Sequence, residues 1–140
     1  MVKYRKKCEL LVIVLIASAL AGCASSGTAK QLTAADAALL PGMWQGTVNP
    51  PGTTGMVPAS LTIKPDGTYS TDAGAFSSFG KAEIKDGYVH FFSTSGTGSL
   101  AVGERSGTAV LMDRTTSWGL TGSGYSSVRG PYNFDFSKSK

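Results

Sequence analysis

The residue pattern from Gly42 onward predicts an all-β fold, a small antiparallel β-barrel or sandwich of about eight strands, with an apolar leader helix and a short N-terminal helix ahead of it. Three observations predict it. Short apolar or alternating runs are separated by Gly, Pro and Asp roughly every ten residues, the rhythm of strands joined by tight reversals. Pro65-Asp66-Gly67 and Asp86-Gly87 are turn sequences, because glycine accepts the positive φ that such reversals need. Period-two alternation sets Ala82 and Ile84 against Lys81, Glu83 and Lys85, and Tyr132, Phe134 and Phe136 against Asn133 and Asp135; the apolar sets face the core.

Taken in order, Thr33-Ala34-Ala35-Asp36 has the form of a capping box, and Pro41-Gly42 ends the one or two helical turns it opens. The expected strands are 43–48, 57–64, 68–72, 78–85, 88–94, 99–104, 107–112, 116–121 and 131–136, not all of which the fold requires. In 88–92 both Val89 with Phe91 and Tyr88 with Phe92 are apolar, so both faces are expected to be covered. Two glycine-rich stretches, Asn49–Gly55 and Gly119–Gly130, read as long loops; the second carries Tyr125 and Arg129, residue types enriched where proteins bind. The β domain is expected over 41–136, with 137–140 a polar tail.

The first two dozen residues have a different character. Lys3, Arg5, Lys6 and Lys7 precede an almost continuous apolar run from Leu10 to Leu20, followed by Ala21 and Gly22, which is the layout of a signal peptide over 1–22. The run is too short for a hydrocarbon core of about 30 Å, which takes around 20 helical residues. Leu20-Ala21-Gly22-Cys23 resembles the lipobox of bacterial lipoproteins. That resemblance implies cleavage before Cys23, a diacylglycerol thioether on its sulfur, acylation of the new amino terminus, and a membrane partner reached through this anchor. Alanine rather than aspartate at position 24 implies outer-membrane sorting in a two-membrane cell, with the domain facing the periplasm. Residues 24–32 have no apolar period and read as a flexible tether, so 23–40 comprises the anchor, the tether and the short helix.

Gly42-Met43-Trp44, with Gly46 following, resembles the Gly-x-Trp opening of lipocalin-like barrels, which implies that Trp44 packs across one barrel end. Thr121-Gly122-Ser123-Gly124-Tyr125 resembles the Ser-Gly-x-x-Tyr loop of periplasmic lysozyme inhibitors, with threonine for serine. Those inhibitors carry a disulfide, whereas the two cysteines here, Cys8 and Cys23, lie in or beside the leader.

Charge removes one class of partner. The chain has 13 Lys and Arg against 9 Asp and Glu, but four of the cations and Glu9 belong to the leader, so residues 24–140 carry 9 minus 8, or +1. The remaining cations are dispersed, and no nucleic-acid partner is expected. His90 is the only histidine, no Gly-x-Ser-x-Gly is present, and Asp66, Asp72, Asp86 and Asp113 sit at expected turns. No enzyme, metal or cofactor is expected. The expectation is an anchored envelope protein that binds an envelope component, with a carrier of a small apolar ligand and an inhibitor of a lysozyme or protease as alternatives. Trp44, Tyr88, His90, Phe92, Tyr125 and Arg129 are the candidate contacts.

Overall fold

The computed structural model describes residues 27–50, 52–74, 76–97 and 105–140. The leader, Cys23 and the expected strand 99–104, whose last residue is 104, lie outside them. Within them the chain is all-β: β1 (Thr28–Lys30), a 3-10 helix (Ala34–Leu39), β2 (Gly42–Asn49), β3 (Val57–Ile63), β4 (Thr68–Ala73), β5 (Phe76–Lys85), β6 (Tyr88–Thr97), β7 (Arg105–Asp113), β8 (Ser117–Ser126) and β9 (Gly130–Ser139). Strands β2 to β9 pair antiparallel with their sequence neighbours, and β9 returns to β2, with Gly46 opposite Phe136 and Val48 opposite Phe134. The sheet is a closed eight-stranded barrel rather than a sandwich. Closure removes the open edges that an isolated sheet would present to other chains.

Eight strands enclose a space just wide enough for side chains to fill. Here large rings fill much of it. Tyr69 meets Phe91 edge-on at 5.2 Å, Phe91 meets Phe134 edge-on at 5.8 Å, and Phe134 lies 6.0 Å from Phe136. Leu61, Val89, Ala109, Leu111 and Leu120 complete the core.

Those rings explain the largest departure from expectation. The stretch 119–130 is not a loop; residues up to Ser126 form β8, and only 127–129 make the turn. Its inward positions are Leu120, Gly122, Gly124 and Ser126, and they pair across the ladder with Phe136, Phe134, Tyr132 and Gly130. A Cβ on Gly122 would lie 2.7 Å from Cζ of Phe134, and one on Gly124 2.5 Å from the Tyr132 hydroxyl. Closer still to the same Cβ positions are the carbonyl oxygens of Thr108 and Ser106 on β7, so the glycines are there because β7 backbone and β9 rings leave no space for a side chain, not because the backbone must turn. The resemblance of 121–125 to an inhibitor loop therefore falls on a strand.

Two more segments differ. Thr28–Lys30, expected in the tether, pair with Asp113, Met112 and Leu111 on the part of β7 that runs on past the pairings with β6. The expected tail 137–140 belongs mostly to β9, with Ser137 opposite Gln45 and Lys138 opposite Trp118. The capping box forms: the Asp36 carboxylate accepts from the Thr33 backbone N–H at 2.8 Å and its hydroxyl at 3.0 Å, holding that carboxyl below its usual range. Beyond the end of β2 the described residues of this stretch, Pro50 and 52–55, form no strand, as expected. Asp72 instead lies within β4, where its carboxylate accepts from the Gly74 N–H at 3.0 Å.

Gly46 tests the closure directly. A Cβ there would collide with the backbone carbonyl of Asp135 across the β2–β9 seam, whereas Gly55 has open space around it. Gly46→Ala is expected to lower stability by about 3 kcal/mol or more, since overpacking against backbone has no soft neighbour to yield. Gly55→Ala should change it by less than about 0.5 kcal/mol. Urea unfolding midpoints of the two variants decide this.

Candidate functional site

The barrel has two unlike ends. At the one where β2 begins and β9 finishes, the 3-10 helix crosses the opening, and Leu32 and Leu40 turn into the core. Trp44 is fully buried, and its indole N–H donates to the Leu40 carbonyl at 2.9 Å. Lys138 reaches over the same ring, with its ammonium 4.6 Å from the ring centroid, and donates to the carbonyls of Leu39 at 2.6 Å and Pro41 at 2.8 Å. Burial pulls this amine below the ordinary lysine value, while two carbonyl dipoles and the indole face favour its charged form. Trp44 is thus buried at this end of the barrel, the place that the Gly-x-Trp resemblance implied. Lys138 was missed; its only signal is its place on the inward side of the alternation through Tyr132, Phe134 and Phe136.

The other end holds the interior cavity. Val48, Leu61, Tyr69, Phe91, Tyr132 and Phe134 line it, together with Arg105, which is only 4% exposed. Room for the centres of water-sized molecules extends over about 60 Å³. Drug-sized ligands occupy pockets of roughly 300 to 1,000 Å³, so this cavity suits a few waters or a very small group. Burial pushes the phenols of Tyr69 and Tyr132 above the usual tyrosine range, with Arg105 pulling weakly the other way. The Tyr132 hydroxyl donates to the Ser106 carbonyl at 3.1 Å.

The remaining candidates lie outside the barrel. Val89, Phe91 and Ser93 point inward from β6, and Tyr88, His90 and Phe92 point outward. Tyr88 is 42% exposed and Phe92 48%, so the expected cover on the outer face is absent among the described residues. Directly across the ladder from them, β5 presents Lys85, Glu83 and Lys81. On the other side Phe92 faces Ser106, and Ser106 faces Tyr125, which puts the exposed Tyr125 in the same row two strands away. Exposed Phe79 on β5 adds a fourth aromatic ring. His90 sits between Tyr88 and Phe92; its Nδ1 is 3.5 Å from the Thr108 hydroxyl, and its buried Nε2 has no hydrogen-bond partner among the described residues.

The structure therefore brings Tyr88, His90, Phe92 and Tyr125 onto one outer face and leaves Trp44 and Arg129 apart from it. Arg129 is exposed in the turn before β9, at the cavity end. Phe79 and the three charges of β5 were missed as site residues, because alternation shows that a residue points outward but not which strand stands beside it.

Several carboxylates near the sheet have structural partners. Asp66 accepts from the Thr68 N–H and hydroxyl at 2.9 and 2.6 Å, Asp113 bridges Lys140, and Asp135 bridges Arg114 at 3.3 Å and accepts from Thr121. Compared with family models, with curated proteins and with solved structures, the chain matches none.

Lys138→Met should keep the alkyl packing but leave two carbonyls without their ammonium. A loss of about 1 to 3 kcal/mol is expected, the range for buried polar groups that lose a partner. Denaturant unfolding monitored by tryptophan emission measures it. The phenols give a second outcome. Unfolded tyrosines ionise near pH 10.0, while Tyr69 and Tyr132 hold their protons to higher pH in the fold. Above pH 10.0 the unfolded state has then lost protons that the native state retains, so their contribution is intact below that pH and falls as pH rises past it. An absorbance titration should show two phenols ionising only together with loss of structure; if both ionise while the barrel remains folded, the burial argument fails.

Proposed function

We propose that this protein is a lipid-anchored lipoprotein of the bacterial cell envelope, whose barrel is a non-enzymatic binding module for another envelope component. In a two-membrane cell it sits on the outer membrane and faces the periplasm. The basic and apolar leader ending in Leu20-Ala21-Gly22-Cys23 supports the anchor. One diacylglycerol together with an amino-terminal acyl chain supplies the two or more chains that stable attachment takes, at about 0.8 kcal/mol per buried CH₂.

The observation that carries the binding module is the contrast between inside and outside. The interior cavity keeps about 60 Å³ of open room, which favours the outer face over the carrier reading, while Tyr88, Phe92 and Tyr125 stand half-exposed on neighbouring outer positions. Isolated exposed rings are ordinary, but several in register beside Lys81, Glu83 and Lys85 form an apolar patch with a charged margin.

The test uses a photo-crosslinking side chain placed at Tyr88, at Phe92 or, as a control, at exposed Gln45 on β2, four strands away round the barrel. Crosslinking in intact cells should give one discrete envelope adduct from positions 88 and 92 and none from 45. Replacing Tyr88 and Phe92 together with serine should weaken that association about tenfold or more, as removal of interface anchors does, and leave thermal stability nearly unchanged. Equal adducts from all three positions would remove the binding face. Cys23→Ser tests the anchor separately, with loss of acyl labelling and of membrane fractionation as the expected result.

A further inference from the structure

On the reading that Cys23 carries the lipid, we infer that the barrel stands end-on, with the β7–β8 hairpin against the lipid headgroups and the cavity end pointing away from the bilayer. The length of the tether is the starting point. The described chain begins at Gly27, and Thr28 is already hydrogen-bonded into the sheet opposite Asp113, the last residue of β7. Five peptide units separate Cys23 from Thr28 in the sequence. At 3.3 to 3.6 Å per residue they reach at most about 18 Å. Barrel strands of about ten residues, tilted by some 40°, make a body roughly 25 Å tall. A tether shorter than the barrel holds the end from which it emerges at the membrane, and the far rim cannot reach the bilayer while the near rim points away from it.

The position of exit is definite. A Cβ on Gly27 would lie 3.0 Å from Cγ of Arg114 and 3.6 Å from Cε of Met112. The chain thus enters beside the turn that joins β7 to β8, and that tip is built from interfacial residue types. Trp118 packs only partly into the core, and Lys140 lies 4.8 Å above its ring. Thr115 and Thr116 are exposed at the apex. The side chains of Arg114 and Lys140 remain 26% and 35% exposed while they bridge Asp135 and Asp113, so both cations have an open side for phosphate. Tryptophan with flanking lysine and arginine is the composition found at headgroup depth, where an amphipathic ring and a cation are both satisfied.

The opposite rim carries the Asn49–Gly55 loop, the 127–129 turn with exposed Val128 and Arg129, and the cavity lined by Arg105 and Tyr132. End-on standing turns that rim toward the aqueous space and holds the outer face upright, with Tyr88 toward the bilayer end and Phe92 and Tyr125 toward the far rim.

The experiment uses the full-length, lipidated protein reconstituted in vesicles of phosphatidylethanolamine and phosphatidylglycerol that contain a headgroup-linked quencher. A fluorophore is attached at Thr115→Cys on the tip, Lys81→Cys on the outer face, or Val128→Cys on the far rim. Several-fold stronger quenching at 115 than at 128, with 81 between them, is the expected result. If the chain floats with the vesicles but 81 is quenched as strongly as 115, the barrel lies on its side; equal quenching at all three means no fixed orientation, and either outcome overturns the inference alone. A chain that does not float at all removes the anchor and the orientation with it.

Discussion

Closure of the sheet between β2 and β9 is the constraint from which the other features follow. Once the last strand pairs with the first of the barrel, the diameter is set by strand number, and the interior becomes a fixed volume that side chains must fill without collision. Phe134 and Phe136 on β9 take much of that volume, so β8 beside them has glycine opposite Phe134 and Tyr132. Gly46 lies so close under the seam that no larger residue fits. Large and small residues are partitioned between adjacent strands, and this division is what an aromatic-rich eight-stranded core demands.

The two ends answer different needs. At one, the 3-10 helix, Trp44 and Lys138 tie three separated segments together through three hydrogen bonds to main-chain carbonyls and one cation–π contact. A helix of six residues has little stability of its own and depends on such tertiary contacts. At the other end, a buried Arg105, a buried Tyr69 and a half-buried Tyr132 border a small cavity with no comparable plug among the described residues. The asymmetry gives the barrel a direction. Since β1 extends the ladder of β7 at the plugged end, the described chain enters the sheet on the side where the structure is most tightly tied.

The proposed recognition on the outer surface fits this arrangement. A filled interior is a rigid support, and residues held on strands keep their spacing better than residues on loops. Tyr88, His90 and Phe92 repeat every second residue along β6, and Tyr125 extends the same surface across β7. The charges of β5 border it on one side.

Alternation and turn chemistry were enough to show an antiparallel all-β fold, most strand positions, the inward sets on β5 and β9, and the capping box at Thr33, because each depends on residues a few positions apart. The expected leader and lipidated Cys23 rest on local sequence as well, and they lie outside the described residues. Tertiary contacts decided the rest. Gly122 and Gly124 look like loop residues until the carbonyls of Thr108 and Ser106 and the rings of Phe134 and Tyr132 are seen to occupy their side-chain space. Lys138 looks like a polar tail until Leu39 and Pro41, some 100 positions earlier, present their carbonyls to it. Among the described residues the expected cover over Tyr88 and Phe92 is absent for the same reason: periodicity assigns a residue to a face, but only the packing of distant strands determines whether anything lies on that face. The sequence alone determined which groups were available and which way most of them point; the closed barrel determined which meet, because their encounters are set by strand pairing over separations that no local pattern records.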